Sequence, residues 1–387
     1  MEFALSATQT AVQDAVLRIC ARFDGDYWLA RDKDGIFPHD FHRAFAADGW
    51  LGICIPEAYG GAGLGLAEAA VMMQAVAQSG AAMAGASSLH MNIFGLNPVV
   101  RFGNDAQKRR MLPPLVAGQE KACFAVTEPN AGLDTGAIET RAVRRGTKYV
   151  LNGAKIWIST AQVAEKMLIL ARTAPRDAAV RTAGLSLFYT TLDRRFVEVR
   201  EIGKMGRKAV DSNQLFIDGL EVPEEDRIGE EGRGFDYILH GLNPERVLVA
   251  AEAVGIGRVA LERAASYAKE RVVFGRPIGQ NQGVQHPLAR AWIELEAAEL
   301  AMHQAAWRYD NGLSCGAQAN AAKYLASEAA VAACETAMLT LGGYGYAKEY
   351  HVERYLREAM ITRLAPVTPQ LILSYIAERV LALPKSY

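Results

Sequence analysis

The chain has 387 residues, half of them apolar, which is enough for two or three domains around sizeable cores and rules out a disordered protein. Its 42 basic and 43 acidic residues leave a formal charge of -1, so no broad field favours nucleic acid or an anionic membrane, and any binding must come from local sites. The five cysteines, Cys20, Cys54, Cys123, Cys315 and Cys334, form no CxxC pair, which argues against a zinc site or thiol redox motif; their odd number fits a reducing compartment.

Met1 leads into polar, helix-compatible sequence without a basic and then apolar leader, and no uncharged apolar run reaches membrane-spanning length. The expectation is a cytoplasmic protein with no membrane insertion. From about residue 6 to 118 apolar residues recur three and four apart, a helical period, broken most densely by the loop Pro56-Glu57-Ala58-Tyr59-Gly60-Gly61-Ala62-Gly63. From Cys123 to about Val222 the texture changes to short β-branched and aromatic runs, KYVLNGAKIWIS, KMLILART, GLSLFYTTL, FVEVREI and NQLFIDGLEV, which read as strands. Asn152-Gly153 lies between two such runs and predicts a hairpin turn, so the middle reads as a small antiparallel barrel or sandwich. From about Gly234 the helical period returns, with long stretches at 245–271, 283–310 and 317–341 that suggest a bundle. The expected division is an N-terminal helical domain over 1–120, a central β domain over 121–232 and a C-terminal helical bundle over 233–387.

Several signatures point nowhere. Gly255-Ile256-Gly257-Arg258-Val259-Ala260 matches a dinucleotide-binding pattern, but it lies inside a helical run with no strand before it, so the turn that aims amides at a pyrophosphate cannot form. The seven histidines show no metal-ligand spacing, and no G-x-S-x-G nucleophile elbow exists, so no metal is expected. Gly342-Gly343-Tyr344-Gly345-Tyr346 is a glycine-rich break between helices, either a connector or a backbone approach to a ligand. The segments Phe124-Ala125-Val126-Thr127-Glu128-Pro129-Asn130-Ala131-Gly132 and Ile156-Trp157-Ile158-Ser159 each carry an apolar strand with an aromatic into hydroxyls and turn residues. Such a composition suits a flat heteroaromatic ring that needs stacking and a few edge hydrogen bonds, though it also suits an ordinary strand end.

Taken together, TEPNAG, NGAKIWIS, KMGRKAVDS, ERVLVAAEAVGIG, YAKERVVFGRPIGQNQGVQ and LGGYGYAKEYHVERYLREA resemble the acyl-CoA dehydrogenase family in order and spacing, from about Glu57 to Leu383. The resemblance implies an α+β fold, with an N-terminal helical domain, a central antiparallel β domain and a C-terminal four-helix bundle, usually as a homotetramer (a dimer of dimers) holding one FAD per subunit. It implies that Phe124, Val126, Thr127, Trp157, Ile158 and Ser159 line the isoalloxazine, and that Arg271, Phe274 and Gln282 meet the FAD pyrophosphate and adenine across a subunit interface. The segment from Leu339 to Gly343, including Gly342, would lie nearby, and Thr368 and Gln370 match the family's C-terminal Thr-x-Gln, which also touches FAD. Two positions depart from the pattern: Leu133 stands where many members place a serine near the thioester, and Leu339 where many place a glutamine.

The implied activity, at home in fatty-acid β-oxidation, is removal of hydrogen from Cα and Cβ of an acyl-CoA to leave the trans-2-enoyl-CoA, with electrons passed to an electron-transfer flavoprotein. Such a reaction needs a carboxylate whose pKa burial raises from about 4 toward 6 or 7. The usual base position aligns here with Pro366, which also has no N–H to give the thioester carbonyl. The resemblance moves the base to Glu245, expected at a helix start, where the isovaleryl-CoA and long-chain branches carry theirs. Arg246 is implied to hold the CoA portion, and Asn243 replaces an aspartate that often binds there. The placement leans toward branched or longer acyl chains. A same-fold oxidase or monooxygenase using O2, or a non-catalytic flavoprotein relative, are the alternatives.

Overall fold

In a computed structural model that describes residues 4–177 and 179–385, seven helices come first: α1 (Ala7–Cys20), α2 (Gly25–Asp34), α3 (His39–Ala47), α4 (Leu66–Val76), α5 (Ala82–Phe94), α6 (Asn97–Phe102) and α7 (Asp105–Val116). Eight strands follow: β1 (Ala122–Ala125), β2 (Arg141–Arg145), β3 (Lys148–Ser159), β4 (Lys166–Arg172), β5 (Leu185–Thr191), β6 (Val197–Glu201), β7 (Ser212–Pro223) and β8 (Arg227–Ile228). Then come α8 (Gly234–Glu270), a small hairpin of β9 (Val272–Val273) and β10 (Arg276–Pro277), α9 (Gln282–Asp310), α10 (Gly316–Leu341), α11 (Gly343–Tyr346), α12 (Val352–Leu364) and α13 (Pro369–Arg379). The order helical, β, helical matches the expected fold class.

The sheet runs β6-β7-β3-β2-β4-β5-β8, and β1 joins it beside β4. Most neighbours are antiparallel, but β1 runs parallel to β4. β4 and β5 join the two kinds of structure. Their alternate side chains point to opposite faces, and neither face is wet: Met167 and Ile169 enter the β core with Phe188, while Leu168, Leu170, Leu185 and Leu187 enter the core shared with the helices. A strand buried on both faces has to read as a continuous apolar run, which KMLILA does. The site described below forms along this seam.

The Asn152-Gly153 hairpin expected from sequence is not there. Both residues lie inside β3, and the turn falls earlier, at Gly146-Thr147, where Arg145 pairs with Lys148. Asn152 serves another purpose: its Oδ1 accepts from Gly219 N at 2.8 Å, where β7 carries one extra residue. Gly153 is needed because a Cβ there would sit 2.4 Å from Thr140 Oγ1. Cross-strand pairing and close approach prevailed over local turn propensity.

The second correction concerns α8. The sequence reading put Glu245 at a helix start, whereas α8 begins at Gly234 and runs through Pro244, placing Glu245 in its fourth turn. Proline costs the ladder one hydrogen bond, and packing holds the helix across it; Gly241, for example, lies so close to α5 that a Cβ would be 2.9 Å from the Phe94 carbonyl oxygen. Gly255 and Gly257 do sit inside this helix, as read from sequence. They let α8 pack tightly: a Cβ on Gly255 would meet the Gln74 carbonyl at 2.5 Å, and one on Gly257 would meet Leu295 at 2.5 Å.

Candidate active site

Three elements deliver charged side chains to one interior region. Glu245 and Glu252 lie seven residues apart on α8, two turns and therefore one face. His90 comes from α5, and its Nδ1 lies 2.6 Å from Glu252 Oε1. The Glu252 side chain is wholly buried and its Oε2 has no hydrogen-bond partner. Burial alone would discharge His90, but the Glu252 carboxylate more than offsets that and raises its pKa. Glu245 is itself partly buried, and desolvation pushes its carboxyl up to about 7, opposed by the nearby cations His90 and Arg246.

Arg246 lines a cleft of about 550 Å³ together with Leu242, Asn243, Asn320, Val367 and Tyr375. Its Nη1 donates to Asn243 Oδ1 at 3.1 Å and to the Leu242 carbonyl at 3.3 Å, while its Nε is buried without a partner. Asn243 therefore aims the guanidinium. From α10 the wholly buried Lys323 donates to the carbonyls of Val367 (2.7 Å) and Arg363 (3.2 Å), tethering the loop that contains Pro366. Burial lowers the Lys323 pKa to about 8, with Glu245 among the carboxylates that oppose the shift.

The TEPNAG loop is strapped from below. Lys155, fully buried in β3, donates to Glu128 Oε1 (2.9 Å), to the Val126 carbonyl (3.0 Å) and to the Leu170 carbonyl (2.7 Å). Glu128 also accepts from the amides of Glu139 (2.7 Å) and Thr140 (3.0 Å), and its backbone closes a tight turn onto Ala131. Burial would raise the Glu128 pKa, but Lys155 and these amides hold it below the usual carboxylate value.

The residues expected at the isoalloxazine gather near this loop. Trp157 occupies an extra residue of β3 between Lys155 and Ile158, with φ 61°, and remains 57% exposed. A non-glycine residue with positive φ is uncommon, and here the bulge turns a flat ring outward. Phe124 packs edge-on against Phe94 of α5, centroids 5.3 Å apart. The Ile158 side chain instead enters the β core, and Val126 is buried in the core shared with the helices, so neither side chain offers an open face. Thr127 accepts from Ile156 N through its carbonyl, and Ser159 Oγ accepts from Arg207 at 3.0 Å. Leu133 is half exposed beside the loop.

The second group sits at the far end of the bundle. Arg271 follows the last turn of α8, Phe274 is fully exposed at the tip of the β9–β10 hairpin with φ 52°, and Gln282 opens α9. Leu339 is 84% exposed near the end of α10, and Gly342 (φ 60°) and Gly343 turn the chain into α11. Arg271 lies over the Tyr344 ring at 5.9 Å, which joins these segments at one place. Thr368 and Gln370 are not at that end: they lie between Val367 and Leu371, which line the Arg246 cleft, with Thr368 capping α13 by accepting from Leu371 N at 3.4 Å and Gln370 exposed in its first turn. A flat aromatic beside hydroxyls at the first group suits the ring of a flavin, and an arginine with exposed apolar side chains at the second suits a nucleotide; among the described residues no hydrogen bond or ring contact joins the two groups within the chain.

Sequence reasoning missed His90, Glu252, Arg207, Lys155 and Lys323. Arg207, with φ 55°, donates to the hydroxyls of Ser87, Ser159 and Ser212, which joins α5 to the sheet. Lys155 was discoverable, since it stands in NGAKIWIS with no solvent-facing position once the bulge is counted. His90 and Lys323 look like ordinary helix residues in the chain.

The fold, with the family matches and relatives that follow, is that of an oxidoreductase acting on acyl-CoA. Residues 6–119, 123–220 and 232–381 match the acyl-CoA dehydrogenase N-terminal, middle and C-terminal domains. An acyl-CoA dehydrogenase of Bacillus subtilis is 38% identical over 334 residues, 86% of this chain and 87% of that one. The caffeyl-CoA reductase-Etf complex subunit CarC of Acetobacterium woodii is 34% identical over 343 residues, 88% and 89% of the two chains. Among solved structures, a glutaryl-coenzyme A dehydrogenase in complex with glutaryl-CoA superposes with a TM-score of 0.94 at 32% identity, covering 100% and 98% of the chains. PigA with FAD and proline superposes at 0.93 with 28% identity, covering 99% and 100%. The chain belongs to the acyl-CoA dehydrogenase family.

Proposed function

We propose that this protein removes hydrogen from Cα and Cβ of an acyl-CoA, leaving the trans-2-enoyl-CoA, with Glu245 as the base for the α proton. The observation that carries this reading is the Glu245 carboxyl, held at about 7 by desolvation in the interior of α8 and adjacent to the Arg246 cleft. An α proton beside a thioester is weakly acidic, and a base works best when its pKa lies near the working pH. An ordinary carboxylate near 4 would be too weak.

FAD is the cofactor of this family, and when bound it supplies the acceptor for the hydride that leaves Cβ. Trp157 offers it a stacking face, with Thr127 and Ser159 at its edge, and Arg271, Phe274, Gln282 and the 339–343 segment suit its distal half. Arg246 lines the cleft with its guanidinium held by Asn243, which suits the carbonyls and phosphates of CoA. Pro366 has no N–H, so the thioester carbonyl must be polarised by another donor, with the Val367 N–H the nearest candidate in sequence.

A homotetramer is the assembly we favour. Ile293, Leu300 and Trp307 recur every seven residues on α9 and are each more than half exposed, and Phe274 is fully exposed; such apolar surface marks an interface. An electron-transfer flavoprotein as partner is supported by the Etf complex named for the Acetobacterium relative. Among the described residues no helix is long and apolar enough to cross a membrane, and all five cysteines are free, which supports a reducing compartment such as the cytoplasm.

The test is flavin bleaching by a panel of straight and branched acyl-CoAs under anaerobic conditions, comparing the holoenzyme with Glu245→Gln. A positioned base contributes roughly 10²–10⁴-fold, so the variant should lose about that much, and a loss below about tenfold would place the base elsewhere. Absence of bleaching with every acyl-CoA would favour a non-catalytic flavoprotein. Oxygen consumption during turnover separates an oxidase or monooxygenase from an enzyme that requires the flavoprotein acceptor.

A further inference from the structure

Glu245 is not alone on its face of α8. Two turns along, Glu252 is wholly buried, one oxygen bound to His90 Nδ1 at 2.6 Å and the other without a partner. A buried carboxylate costs several kcal/mol in desolvation unless a partner compensates it, and here the partner is a histidine on the opposing helix, its side chain 11% exposed. The pair serves no helix cap. Its neighbour along the face is the proposed base.

We propose that His90, fixed by Glu252, is a positioning residue for Glu245: a cation that stabilises the ionised carboxylate before the substrate α proton arrives. This inference rests on the reading of Glu245 as the base. The charged groups facing Glu245 are His90 from α5, Arg246 and Glu252 from α8, and Lys323 from α10; His90 in turn faces Glu252, Glu245 and Arg207. Of the cations around Glu245, Arg246 is directed toward Asn243 and the CoA cleft, and Lys323 is committed to two loop carbonyls. His90 is the one whose position is set by a buried carboxylate. Because a neighbouring cation favours the charged form of an acid, a protonated His90 favours the ionised form of Glu245 against burial, while Glu252 favours the protonated form of His90.

The experiment separates proton removal from oxidation. An acyl-CoA with sulfur in place of the β carbon cannot lose a hydride, yet its α proton can leave, so the rate of α-proton exchange with D2O, followed by NMR across pH in the holoenzyme, reports the base. In the wild type exchange rises through a midpoint near the Glu245 pKa of about 7. His90→Gln should move that midpoint upward, because it removes the cation, and the buried Glu252, stranded without a partner, takes up a proton. Glu252→Gln should also move it upward, because the unpaired, buried His90 turns neutral and the cation is lost by the other route. Each variant tests the pairing independently, so failure of one to fold leaves the other decisive. An unshifted midpoint, a uniform fall in rate at every pH, or a downward shift in Glu252→Gln overturns the proposal. Exchange that persists in Glu245→Gln sinks the base assignment instead, whatever the His90 variants do.

Discussion

Two loops that frame the site are each tied down by one buried lysine, and the two ties are chemically different. Lys155 ties the Glu128 carboxylate and the Val126 carbonyl to the Leu170 carbonyl of β4, whereas Lys323 ties the Val367 carbonyl of the loop after α12 to the Arg363 carbonyl in the last turn of α12. Burial pushes both ammonium groups down to about 8. At the first, the charge is compensated inside the β domain, and the strap is purely mechanical. At the second, the compensating carboxylates are more remote, Glu328 and Glu245 among them, so the loop that would ordinarily carry the family's glutamate is held by a cation whose field reaches the proposed base. The loop that contains Pro366 and the proposed base, Glu245, are thus linked through a single side chain.

Breaking the first tie should have the larger effect. Lys155→Met keeps the length of the side chain but leaves Glu128 buried at 6% exposure with no cation. Removing one partner of a buried pair costs roughly 3–5 kcal/mol, so denaturant unfolding should show a loss of that size. Glu128→Gln in the same background should recover part of it, since no uncompensated charge remains. If Lys155→Met costs under about 1 kcal/mol, the loop is held by its turn and not by the ion pair.

The second tie should cost less to cut. In Lys323→Met two carbonyls lose a donor and no carboxylate is stranded, which at about 1–3 kcal/mol for unsatisfied buried groups sets the expected stability change below that of Lys155→Met. The same urea titration checks the order of the two, and a reversal would mean that Lys323 is the more tightly coupled cation.

The sequence disclosed these two loops unequally. The TEPNAG and NGAKIWIS runs were visible as cofactor-facing strands because their apolar residues, hydroxyls and turn residues lie in contiguous sequence, and the helical, β, helical order followed from the change of period alone. What failed was whatever depends on a partner strand or helix. Asn152-Gly153 looked like a turn because the bulge on β7 that it caps is 67 residues away, at Gly219. Glu245 was expected at a helix start from the family resemblance, whereas α8 runs through Pro244, with α5 packed closely at Gly241. Ile158 was expected at the ring from the family resemblance alone, and nothing in its local pattern shows that the extra residue at Trp157 turns its side chain into the β core. His90 and Lys323 gave no signal, since a lone titratable residue on a helix acquires meaning only from what faces it.

The smallest expected effect is electrostatic. The proposed base, Glu245, could take a proton only when ionised, so with a folded pKa of about 7 the rate should fall as pH drops below 7, approaching tenfold per unit, and level off above it. Lys323 is among the cations that favour the ionised form, though it contributes less than His90 and Arg246. Replacing it with methionine removes that contribution and should raise the midpoint of the acid limb, by an amount on the order of a few tenths of a pH unit given that one unit is about 1.4 kcal/mol of differential interaction. The measurement is kcat/KM against pH for wild type and Lys323→Met with a saturating electron acceptor. A midpoint that stays fixed while the rate falls at every pH would mean that Lys323 only holds the loop, making it the mechanical counterpart of Lys155. A midpoint that falls would mean that releasing the loop lets water reach Glu245, so that lost burial outweighs the lost charge.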